Sequence, residues 1–90
     1  MEAETSKEQM SDLLRKAQQL QAMVMGYPIC VDITVHGQDL ASDTWIILYI
    51  TEIPAHKVIL RKDIYPFHDY AYNCEQLAQF KEVIMKHIEL

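Results

Sequence analysis

Three side chains around residue 70 have the types needed for nucleophilic catalysis. Cys74 is expected in the first turn of a helix, where the helix dipole favours a thiolate. His68 and Asp69 lie just upstream, which makes a Cys/His/Asp system conceivable. However, no glycine turn that would form an oxyanion hole accompanies them, and cysteine is a common small buried residue. The pattern therefore favours a noncatalytic protein over an enzyme.

The residue types that bind metals and phosphates are scattered singly. The four histidines and two cysteines have no paired ligand spacing, so no metal site is predicted. The two glycines are isolated, so no loop is expected to cradle a phosphate. We therefore expect no cofactor. The histidines, cysteines and glycines in question are His36, His56, His68, His87, Cys30, Cys74, Gly26 and Gly37.

An aromatic segment around Pro66 is the remaining candidate for small-molecule chemistry. Four of the eight aromatic residues of the chain fall within residues 65–72. A titratable cluster in a loop over a sheet is a reasonable ligand site, binding or catalytic. This alternative site would consist of Tyr65, His68, Asp69, Tyr70 and Tyr72.

Two amphipathic helices are predicted to frame these residues. Apolar residues recur at steps of three and four over residues 6–25, and Ser6 with Gln9 fits a capping box. Gly26 suits the left-handed position after this helix, and Pro28 blocks its continuation. Asn73 fits the N-cap of the last helix, which has its own apolar stripe.

Three strands are predicted between the helices. Residues 29–36 alternate strictly between apolar and polar, which indicates a half-buried strand. Residues 44–51 are apolar on both faces, as in a central strand. Residues 56–62 form a weaker third strand, and the short connections make neighbouring strands antiparallel.

Together these elements predict a single α+β domain over residues 1–90, in the order α-β-β-β-α. Both helical stripes must be buried, and one face of a three-stranded antiparallel meander is the natural cover for them. The predicted core comprises Leu13, Leu14, Ala17, Leu20, Val31, Ile33, Val35, Ile46, Leu48, Ile50, Val58, Leu60, Phe80 and Ile84.

The opposite face of this sheet is expected to remain open, because no element is left to cover it. Trp45, Ile47 and Tyr49 would form an apolar patch there, next to Ile59 and Arg61. Aromatic side chains beside arginine are typical of interface cores. We expect this patch to bind a protein partner or a second copy in a homodimer, unless the segment 65–72 folds over it.

Chain length, charge and cysteine content limit the classes of protein to which this chain could belong. Ninety residues are too few for a two-domain enzyme, and no apolar stretch is long enough to cross a membrane. The formal charge is −5, and no lysine or arginine lies between Lys16 and Lys57. Two cysteines without framework spacing are expected to be free thiols in the cytoplasm.

The element order resembles that of the double-stranded-RNA-binding domain. That family grips phosphates with lysines at the start of its last helix. The matching stretch here, residues 73–79, has neither lysine nor arginine. The resemblance is therefore limited to topology, and no nucleic-acid partner is expected.

We predict no submicromolar binding of RNA or DNA at physiological salt, because phosphate contacts dominate such affinities and the middle of the chain would repel them. Fluorescence anisotropy with labelled single- and double-stranded oligonucleotides tests this. A salt-dependent submicromolar complex would contradict the prediction.

Overall fold

The computed structural model describes residues 4–37 and 44–88. It confirms the predicted α+β fold, with the three strands arranged as an antiparallel sheet in the order β1-β2-β3. The elements are α1 (Lys7–Met23), β1 (Ile29–His36), β2 (Trp45–Glu52), β3 (Lys57–Ile64) and α2 (Tyr70–Ile88).

The first helix begins where the sequence predicts it. The Ser6 side chain accepts from the Gln9 backbone, and the Gln9 side chain accepts from the Ser6 backbone, which completes the capping box. The helix ends at Met23, two residues before the predicted end, and Gly26 then adopts a φ of 90°. A residue with a side chain rarely adopts that angle, so glycine suits the turn into β1.

One hydrophobic cluster joins both helices to a single face of the sheet, as predicted. Alternate residues of β1 and β2 point into it, which leaves the other face of the sheet without helices. The cluster contains Met10, Leu13, Ala17, Leu20, Val24, Ile29, Val31, Ile46, Leu48, Ile50, Ile64, Leu77, Phe80 and Ile84.

The predicted core placement of Val58 and Val35 is wrong. A β-bulge shifts the register after Ile50, which pairs with Leu60, so that Thr51 pairs with Val58. Val58 thereby moves off the core face and is 52% exposed. Val35 is 50% exposed, because it lies at the far end of an edge strand whose first half carries the buried residues.

The same bulge changes the environment of Ile59. This residue has no partner of its own on β2, and its half-buried side chain packs against the core cluster. Its predicted placement beside Tyr49 on the open side of the sheet is therefore wrong. The cause is the extra residue, since a bulge interrupts strict alternation.

The second helix starts earlier than predicted. Asp69, not Asn73, is the N-cap: its Oδ1 accepts from the backbone of Tyr72 at 2.7 Å. The backbone carbonyl of Asp69 accepts from Asn73 at 3.1 Å, which closes the first turn. Asn73 thus lies inside the helix, where its side chain is fully buried.

We expect Phe80→Ala to lower the free energy of unfolding by about 3–5 kcal/mol, because Phe80 is completely buried in the core cluster. Urea denaturation measures this change. Glu82→Ala, at an exposed position of the same helix, should change it by less than about 0.5 kcal/mol. Equal effects of the two substitutions would contradict the packing described here.

Candidate functional site

The sheet face opposite the helices, called here the open face, is arranged in rows across the three strands. One row contains Asp32, Tyr49 and Arg61, which are paired in register. A second row contains Thr34, Ile47 and Asp63, and a third contains His36 and Trp45. Trp45, Ile47, Tyr49 and Arg61 therefore lie together on one face, as the sequence indicates.

Ile47 differs from the expected exposed patch residue. It lies on the open face but is only 6% exposed, whereas Trp45 and Tyr49 on either side of it are half-buried. Ile47 lies between Thr34 and Asp63 in register, so neighbouring sheet side chains flank it. The accessible side chains around Ile47 are consequently aromatic and charged, and the exposed aliphatic Val58 lies further along the face, beyond the bulge.

A continuous series of ring contacts, called here the aromatic row, runs from the open face onto the connection between β3 and α2. The ring centroids of His36 and Trp45 are 4.7 Å apart, and those of Trp45 and Tyr65 are 6.1 Å apart. Further contacts of 4.8, 4.5 and 4.4 Å continue the series. The first three pairs are stacked, whereas the last two are tilted, with 51° and 41° between the ring planes. In order, the row is His36, Trp45, Tyr65, Phe67, His68 and Tyr72.

This row answers the question whether the segment 65–72 covers the open face. Tyr65 contacts Trp45 at one end of the face, but Phe67 and Tyr72 are 63% and 43% exposed. The segment therefore extends the open face sideways, while the Arg61 guanidinium lies over the Tyr49 ring, 5.6 Å from the centroid.

Asp63 organises the charges of the open face. It accepts from Nε and Nη2 of Arg61 at 2.8 and 3.0 Å, and from the Tyr65 hydroxyl at 2.9 Å. The hydrogen bond from Arg61 lowers the pKa of Asp63, and the hydrogen bond to Asp63 raises the pKa of Tyr65. Asp63 thus stays ionised and holds both neighbours in fixed positions.

The first strand contributes a second carboxylate. Asp32 accepts from Thr51 Oγ1 at 3.3 Å and from Cys30 Sγ at 3.6 Å. Burial, followed by the charge of Asp32, raises the pKa of the Cys30 thiol. Cys30 is therefore expected to remain a thiol at neutral pH, without the activation that a nucleophile requires.

A buried polar link holds the aromatic segment in place. Asn73 Nδ2 donates to the carbonyl of Tyr65 and to Thr5 Oγ1, both at 2.8 Å. Thr5 in turn donates from its hydroxyl to the carbonyl of His68 at 2.7 Å, and its backbone amide donates to the carbonyl of Pro66 at 2.9 Å. The start of α1 and the start of α2 are therefore joined through the segment that carries the rings.

The alternative ligand site is only partly assembled. Tyr65, His68 and Tyr72 meet in the aromatic row, but the Asp69 carboxylate caps α2. Tyr70 donates its hydroxyl to Asp12 of α1 at 3.1 Å, on the helical side of the protein. The five residues therefore do not surround a common space.

The conceivable catalytic system is divided as well. His68 packs between Phe67 and Tyr72, while Cys74 lines a groove between the two helices. Asp69 makes the hydrogen bond that begins α2.

Within residues 4–37 and 44–88, no group of three or more histidine, cysteine or acidic side chains could hold a metal ion. The same residues contain no helix with the length and apolarity needed to cross a bilayer.

Sequence reasoning missed Asp63, the contacts of Tyr65 with Asp63 and Trp45, and Thr5. The signal for the first two is their spacing, since a strand extended to Ile64 places Arg61, Asp63 and Tyr65 at alternate positions. No comparable signal identifies Thr5, whose partners are more than sixty residues away.

Comparisons with protein families, curated proteins and solved structures give no match.

We expect Asn73→Ala to lower the free energy of unfolding by about 2 kcal/mol, because the Tyr65 carbonyl loses its side-chain donor in a buried site. Urea denaturation followed by Trp45 fluorescence measures this change in free energy. Trp45 is a suitable reporter because it stacks on Tyr65. Gln18→Ala, an exposed helical amide, is the matched control and should cost less than about 0.5 kcal/mol. Equal costs would show that the buried link contributes nothing.

Proposed function

We propose that this chain is a noncatalytic interaction module that associates with a second copy of itself through the open face. The observation that carries the proposal is the row of Asp32, Tyr49 and Arg61, with opposite charges on the two edge strands and an aromatic ring between them. Such a row is complementary to itself after rotation by half a turn.

The symmetry can be stated from the register. A two-fold axis that runs parallel to the strands, between two stacked sheets, places β1 of one copy over β3 of the other. Asp32 then meets the remaining guanidinium N–H groups of Arg61 of the second copy, whose Nε and Nη2 stay bonded to Asp63. The two Tyr49 rings meet near the axis. An interface of this kind uses the same patch twice, as two-fold dimers do.

The aromatic row enlarges this contact. Its exposed rings, Phe67 and Tyr72, lie on the connection to α2, beside Tyr65 and Trp45. Rings held by contacts with neighbouring rings lose little conformational freedom on binding, and aromatic residues with arginine are enriched in interface centres. The small-ligand alternative has less support, because Asp69 and Tyr70 are engaged elsewhere.

The size of the face sets the expected strength. Three strands of eight residues cover roughly 26 Å by 14 Å, at about 3.3 Å per residue and 4.8 Å between strands. That footprint is smaller than the ~800 Å² per partner of a standard interface. We therefore expect a reversible dimer with a dissociation constant in the micromolar range.

We expect Tyr49→Glu to weaken the dimer by at least about tenfold, because two carboxylates would meet near the axis. Within one chain the substitution should be tolerated, since Tyr49 is half-buried and adjoins Arg61. Sedimentation equilibrium measures the dissociation constant. Tyr27→Glu, at an exposed tyrosine just before β1, is the matched control and should leave it unchanged.

A second variant tests the direction of the axis. Asp32→Asn removes the charge that would pair with Arg61 of the second copy and should weaken the dimer. If the axis ran across the strands, Asp32 would face Asp32 of the second copy. The same variant would then remove a repulsion and strengthen the dimer. A parent protein that is monomeric at tens of micromolar, or a Tyr49→Glu variant that is as dimeric as the parent, refutes the proposal.

A further inference from the structure

The second surface of interest lies on the other side of the protein, between the two helices. Both helices begin at the same end, since Tyr70 in the first turn of α2 donates to Asp12 in α1. Along their outer side runs an open groove of about 430 Å³, within the range of small-molecule sites. Buried side chains of Leu13, Leu20 and Leu77 line it.

The charges at the rim of this groove are unequal. Lys16 is neutralised by Asp12, with 3.1 Å between Nζ and Oδ2. Lys81, on the opposite helix and nearer the other end, has no carboxylate partner in the part of the chain that the structure describes. The groove thus offers one unpaired cation, Lys81, while the Lys16–Asp12 pair at the far end adds no net charge.

The length of the groove follows from the helix rise. Cys74 and Lys81 both line it and are seven residues apart. Seven residues of helix rise by about 10 Å, which is close to the extended length of roughly eight methylene groups. The groove between them is therefore long enough for a medium-length acyl chain.

We propose that this groove binds a single-chain amphiphile with one anionic head group, of the fatty-acid class. The head group contacts Lys81, and the chain lies over Leu20 and Leu77 toward Cys74. Apolar lining with one unpaired lysine matches a ligand that is apolar except for one charged end. This site does not depend on the open face, so either proposal can fail without the other.

The test uses the 90-residue chain with Cys30→Ser, so that Cys74 is the one remaining thiol, and decanoate below its micellar concentration. Decanoate should bind in isothermal titration calorimetry. It should also slow alkylation of Cys74 by the uncharged reagent iodoacetamide, followed by mass spectrometry. Decyltrimethylammonium, with a chain of the same length and the opposite charge, should bind at least about tenfold more weakly.

Two substitutions of the same type locate the head group. Lys81→Glu should weaken decanoate binding by at least about tenfold, while Lys86→Glu, at an exposed lysine five residues further along α2, should change it less than about twofold. Circular dichroism verifies that both variants fold. The proposal is overturned if decanoate neither binds nor protects Cys74, if both detergents bind equally, or if the two variants behave alike.

A groove-filling variant provides an independent check. Ala78 lines the groove at an exposed helical position, so Ala78→Phe should fold and should abolish decanoate binding. Undiminished binding to this variant contradicts the proposed site. A different outcome is that decanoate fails to bind the parent protein, and that the Ala78→Phe variant has a lower molar mass in solution than the parent. The groove would then be a contact between two copies, and the proposal would be wrong.

Discussion

The burial of one amide side chain constrains much of this structure. Asn73 is completely buried, and its Nδ2 donates to the Tyr65 carbonyl and to the Thr5 hydroxyl oxygen. The Thr5 hydroxyl can accept this bond because its own proton is donated to the His68 carbonyl. Burial of a polar group is costly unless hydrogen bonds replace those with water. Asn73 Oδ1 has no partner among the described residues, so its two donor bonds carry that compensation. These bonds require the Tyr65 carbonyl to remain next to α2, which in turn fixes the ring of Tyr65 against Trp45.

Much of the fold was predictable because the sequence alternates where the sheet has one buried face. The pattern of residues 29–36 gives the bounds of β1, and the two-sided apolarity of β2 identifies the central strand. Alternation fails at β3, where an extra residue at the bulge removes Val58 from the core and turns Ile59 toward it. A bulge has no reliable sequence signature in a strand with apolar residues at consecutive positions, such as 58–60.

The candidate site was predictable in its residues but not in its arrangement. Trp45, Tyr49 and Arg61 share a face because of strand periodicity, which the sequence carries. The stacking of rings from 65–72 depends on contacts between distant parts of the chain, and on a helix that starts at Asp69 rather than Asn73. Both residues are good N-caps, so local preference cannot choose between them. Burial of Asn73 against Thr5 favours the earlier start.

The environment of Ile47 determines what kind of association the open face can support. In an obligate dimer the central aliphatic side chains stay exposed until the partner covers them, so the monomer is unstable alone. Here Ile47 is already buried within one chain, and Asp63 holds Arg61 and Tyr65 in position without a partner. The free energy left for association comes from rings that are half-buried and from charges that water also solvates. Contacts of that kind select the partner and its orientation more than they strengthen binding. The association that we propose for this face is therefore an exchangeable contact, and it requires a monomer that folds on its own.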